Sequence, residues 1–105
     1  MGRVIFGIVL AAALAAGGLV SAATVRGSHF GCLTEASLTE IRDAARREDM
    51  RQVDALLSGF HCVVLSPGQE FSVVDRGRRM SKIRVYGVGG SVLLYVGPEL
   101  LRDAG

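Results

Sequence analysis

Hydrophobic and polar positions change rhythm twice along the chain. No charged residue separates Arg3 from Arg26, and the positions between them are almost all apolar or small. From Thr34 to Ser58 the apolar residues recur at helical spacing, and from Cys62 onward the period drops to two. Within the helical stretch, Ser37-Leu38-Thr39-Glu40 has the form of a capping box, in which the serine hydroxyl accepts a backbone N–H and Glu40 reaches back. Leu38, Ile41 and Ala45 follow as its apolar face. Asp49-Met50-Arg51-Gln52 repeats the start signal, Val53, Leu56 and Leu57 carry a second face, and Gly59 is a terminator. The pattern predicts two short helices joined near Arg47–Asp49, with one continuous helix as the alternative.

The strand half is punctuated by turn residues. Cys62–Leu65 is a short apolar strand, and Ser66-Pro67-Gly68-Gln69 fits a type II turn with proline second and glycine third. Glu70–Asp75 follows, broken by Arg76-Gly77-Arg78-Arg79. Lys82-Ile83-Arg84-Val85-Tyr86 alternates cleanly, which turns Ile83 and Val85 inward. Gly87–Gly90 turns, and Ser91–Val96, apolar on both faces, is expected at the centre of its sheet. Gly97-Pro98-Glu99 stops it, and Leu100-Leu101 adds a last helical turn. Thr24–Gly31, polar and glycine-containing, is expected to be a loose lead-in. The fold class is therefore α+β: an N-terminal signal helix, a short helical hairpin over 32–61, then an antiparallel sheet of about four strands over 62–105.

Composition explains the first regime. The 50% hydrophobic content of the 105 residues is concentrated at the N-terminus. Arg3, the apolar run Val4–Leu10, the alanine-rich stretch to Ala16 and the small residues Ser21, Ala22 and Ala23 have the order of a secretory signal. Cleavage is expected after Ala22 or Ala23, leaving one domain over 24–105. The rival is an uncleaved anchor, since the uncharged run from Val4 to Val25 matches the roughly 20 residues a bilayer needs. Its second half, rich in Ala, Gly and Ser, favours cleavage. The expected location is periplasmic or secreted, with membrane contact only if the segment stays.

Without Arg3 the formal charge of +2 falls to +1, which gives no electrostatic case for nucleic acid. A domain of this size buries a modest core and benefits from a covalent staple. The two cysteines, Cys32 and Cys62, supply one in an exported chain. A helical hairpin between them returns the chain to its starting point, as a disulfide requires.

Leu65-Ser66-Pro67-Gly68-Gln69-Glu70-Phe71-Ser72-Val73-Val74-Asp75, then Lys82-Ile83-Arg84-Val85, then Val92–Val96 and Leu100-Leu101 resemble a bacterial SH3-like domain. The resemblance implies a small barrel-like sheet. Because such domains on exported proteins often bind cell-wall peptidoglycan or peptides, it also implies a wall or protein partner. Many of them carry a tryptophan in the last strand. This chain has none, so aromatic contacts would rest on Phe71, Tyr86 and Tyr95.

The candidate binding residues are Arg76, Arg78, Arg79, Arg84, Tyr86 and Tyr95, with Lys82 on the same basic edge. Arg42, Arg46, Arg47 and Arg51 are interleaved with Glu40, Asp43, Glu48, Asp49 and Asp54 and read as a salt-bridged helix surface. His29, Cys32, His61 and Cys62 have the donor types of a zinc site. Yet adjacent strand residues point to opposite faces, and an oxidising compartment favours the bridge. No nucleophile elbow or phosphate-cradling loop is evident. The expectation is a non-catalytic envelope binding protein without metal or cofactor. The alternative is a small secreted structural or regulatory factor acting in a larger complex through its helical hairpin.

Overall fold

The computed structural model describes residues 22–104. Apart from its last two positions, the signal segment read at 1–23 lies outside the described residues, and among these no helix is long and apolar enough to cross a membrane. The elements are β1 (Ala23–Thr24), β2 (His29–Cys32), α1 (Glu35–Arg46), α2 (Met50–Ser58), β3 (Cys62–Leu65), β4 (Glu70–Asp75), β5 (Ser81–Gly87), β6 (Gly90–Val96) and α3 (Pro98–Asp103). The fold is α+β, as the pattern predicts, but the antiparallel sheet has six strands in the order β1-β4-β5-β6-β2-β3 rather than about four. The extra two come from the segment expected to be loose. Their partners are remote: β1 pairs with β4, and β2 lies between β3 and β6. Pairing of that kind leaves little local periodicity to read.

The connection from β3 to β4 dictates the shape of the sheet. These strands stand four places apart in the order, about 19 Å if the sheet were flat. Only Ser66–Gln69 join them, folded into a tight turn in which Gln69 N donates to Ser66 O (3.3 Å) and Ser66 N to Gln69 Oε1 (2.7 Å). Gly68, at φ +93°, takes the left-handed position the type II turn requires. The sheet must curl to bring its ends together. Val25 continues the β1–β4 pairing onto this turn, donating to Gln69 O and accepting from Gly68 N, each at 2.9 Å.

Curling creates an inside and an outside, and each holds its own core. Inside lie Val25, Leu65, Phe71, Ile83, Val85, Leu94 and Val96, with Leu100 of α3 closing one end. Ile83 and Val85 point inward as their alternation predicts. Gly31 on β2 is hemmed in by Leu94 and Leu65, whose Cδ1 atoms would stand 3.0 and 3.2 Å from an added Cβ. Outside, α1 and α2 pack on β2 and β3 through Leu38, Ile41, Ala44, Val53 and Leu56 around the two cysteines.

The helix starts need correction. The α1 cap is Thr34, whose Oγ1 accepts from Ser37 N at 3.0 Å, so Ser37 lies within the first turn. Glu40 does not reach back; it accepts from Gln52 Nε2 on α2 at 2.9 Å and ties the helices together. With the start shifted, Ala44 rather than Ala45 faces the core. Of the second start the cap is present, Asp49 accepting from Gln52 N at 3.3 Å, but the Gln52 side chain does not close the box, because it donates to Glu40.

Candidate binding surface

The cysteines are bonded, Cys32 to Cys62, as directly opposed residues of β2 and β3. Leu33 N donates to His61 O (2.9 Å), making the next pair a hydrogen-bonded one. The cysteines therefore occupy a non-hydrogen-bonded position, where opposed strands approach most closely, and their Cα atoms are 3.9 Å apart. Both are buried beneath the helices. The two sulfurs are bonded to each other, so neither is free as a thiolate ligand in this state. His29 Nε2 lies 2.9 Å from Arg26 O, and His61 is exposed. Among the described residues no group of three or more His, Cys, Asp or Glu is placed to hold a metal ion.

The outer face of the sheet is only half covered. The helices and their satellites Phe30, Met80 and Tyr95 occupy the part around Cys32 and Cys62. Beyond them, the outward residues of β5 are Lys82, Arg84 and Tyr86, alternating with Ser81, Ile83 and Val85. Register places Tyr95 opposite Lys82, Leu93 opposite Arg84, and Ser91 opposite Tyr86, with Ser72 of β4 on the other side of Arg84. The face is internally ordered: Lys82 Nζ sits 5.4 Å from the Tyr95 ring centroid, a cation–π distance. Arg84 Nη1 donates to Ser91 Oγ at 3.4 Å, and the Tyr86 and Ser72 hydroxyls are bonded at 2.9 Å.

Sequence reasoning assembled most of this surface. Arg84, Tyr86 and Tyr95 share the outer face, and Arg76, Arg78 and Arg79 stand exposed on the adjoining β4–β5 loop. Phe71 does not belong to it: at 0% exposure it is the largest side chain of the inner core. Leu93 was missed, because the apolar β6 reads as central throughout. In fact β6 meets β2 only at Gly31 and Cys32, so its first half lacks that neighbour and Leu93 is 39% exposed.

Charge sets this surface apart. Five cations (Arg76, Arg78, Arg79, Lys82 and Arg84) occur with no acidic residue between Asp75 and Glu99. Among the described residues none of the five has a carboxylate within ion-pair distance. The helical arginines differ. Arg46 pairs with Asp43 and Arg47 with Asp49 (3.8 Å), as a solvated helix surface predicts. Arg42 instead crosses the fold to Glu99, through two hydrogen bonds of 3.0 and 2.8 Å. That donation holds the Glu99 carboxyl below its usual pKa. A cleft of about 570 Å³ between α1, β2 and α3 contains this pair, but the cation and carboxylate at its wall already satisfy each other.

No protein-family model matches this chain, and no curated protein or solved structure matches it either.

Proposed function

We infer that this protein is a small exported, non-catalytic binding module of the cell envelope, with an SH3-like strand half, and that it engages a wall or protein partner through the outer face of β4–β6. The observation carrying this reading is the row Lys82, Arg84 and Tyr86, whose two cations make no ion pair among the described residues although Asp75 stands opposite Lys82 in register, with Leu93 and Tyr95 across from it and the exposed arginines of the loop continuous with it. Cations free of carboxylates are available to an anionic partner, and Tyr86 and Leu93 add apolar contact area. The helical hairpin turns Leu38, Ile41, Val53 and Leu56 into the outer core but leaves Leu33, Met50 and Phe60 exposed, so it is the second candidate for the contact, without the row of cations.

Export is supported by the disulfide, a bond that persists in oxidising compartments. It is also supported by the signal-like N-terminus. Ala23 pairs with Phe71 in β1, which favours cleavage after Ala22, where the strand would stay whole. The SH3-like reading is supported by the Gly68 turn, the curl it imposes on the sheet and the closing helix α3.

The test is retention on purified wall sacculi. The protein should be retained, and Arg78→Glu with Arg79→Glu should lower the retained fraction several-fold while circular dichroism is unchanged. No retention, together with no co-purifying envelope protein, would refute the reading.

A further inference from the structure

Of the five cations Arg79 lines a cleft with Arg42, Arg46 and Asp43, and the other four lie outside that cleft. Arg76, Arg78 and Arg79 stand on a loop at one end of the sheet, and Lys82 and Arg84 continue the stripe along its outer face. Exposed apolar side chains run beside them: Val74 on β4, Tyr86 on β5 and Leu93 on β6. A soluble polyanion is gripped by cations that surround it. An open surface mixing cations with aliphatic and aromatic groups matches a bilayer interface, where phosphate headgroups meet the charges and the acyl boundary takes the apolar groups.

We propose that the surface from Arg76 to Arg84 docks on an anionic phospholipid bilayer, its arginines on the headgroup phosphates. This deepens the binding role above and rests on it.

The full chain is presented to vesicles of phosphatidylcholine alone and to vesicles in which roughly a third of the lipid is phosphatidylglycerol. Backbone amide exchange is followed across Arg76–Met80. Exchange should slow on the anionic vesicles only, and the slowing should disappear in high salt. Neutralising Arg76, Arg78 and Arg79 together (R76Q/R78Q/R79Q) should raise the lipid needed for half-protection by on the order of a hundredfold, about fivefold per arginine. All three side chains are exposed, and unchanged exchange in β5 verifies that the variant is folded. Equal exchange on the two vesicle types, or protection that survives the triple substitution, overturns the proposal. Retention on sacculi without any vesicle effect overturns the bilayer as partner and leaves the wall reading standing. Failure of both assays sinks both.

Discussion

Arg42 on α1 and Glu99 on α3, 57 positions apart, are joined side by side through both guanidinium amino groups and both carboxylate oxygens. The pair links the helical layer outside the sheet to the helix that closes the inner core. Gly97 lies directly beneath it, buried, and has no room for a side chain: an added Cβ would collide with Arg42 Nη1 and Glu99 Oε1.

The pair makes stability depend on pH. Because the Arg42 hydrogen bonds lower the Glu99 pKa from 4.5, the folded state favours the ionised carboxylate. Its contribution is complete above the unfolded-state value and is lost as pH falls through the folded one. Both side chains are partly exposed, at 34% and 42%, so solvent screening holds the contribution to about 1 kcal/mol or less. Urea denaturation at pH 7 and below pH 4.5 should show a loss that Glu99→Gln removes. An identical pH dependence in the variant would mean that other groups carry it.

Gly97→Ala should displace the guanidinium and break the pair, destabilising the domain by about 1–2 kcal/mol. In a double-mutant comparison, part of that loss should vanish when Arg42 is already alanine, because one of the two obstructing groups is then gone and the freed Glu99 side chain can turn aside. Strict additivity of the two substitutions would contradict the contact.

Opening the disulfide releases a loop of sequence separation 30, worth about 3.5 kcal/mol in the chain-entropy account. Cys32→Ala with Cys62→Ala should therefore shift the denaturation midpoint far more than any single surface substitution. Both sulfurs are buried, so reductant should act on the native protein only through opening. Rapid reduction without unfolding would contradict the helical cover over the bridge.

Two aromatic residues separate core from surface. Phe71→Ala empties the centre of the inner core and should cost about 3–5 kcal/mol. Tyr86→Phe removes only the hydroxyl bonded to Ser72 and should cost about 1 kcal/mol. Thermal unfolding of the two variants measures the contrast, and comparable losses would place Tyr86 in a structural role.

What the sequence discloses is what is decided locally. α2 with its Asp49 cap, the Pro67-Gly68 turn and the alternation of β5 all rest on neighbours within a few residues, and all were legible. β1 and β2 were not, since nothing near Thr24 or His29 reveals that they pair with Glu70 and Leu65. The surface divides in the same way. The outward direction of Lys82, Arg84 and Tyr86 follows from period two. The exposure of Leu93 depends on how far β2 extends along β6, which is a property of the assembled sheet.

The placement of β2 also bears on the order in which the chain can be built. Its residues appear early in synthesis, yet Cys32 is flanked in the sheet by Cys62 on one side and Tyr95 on the other. As the chain emerges, β2, the two helices and β3 can close first as a covalently sealed lobe, while one flank of β2 waits for the last strand to be made. Until β6 arrives, that flank and the inner side of Leu65 have no cover. An emerging or truncated chain lacking β6 and α3 would thus present an open sheet edge beside bare apolar side chains, the combination most prone to pair with the wrong molecule.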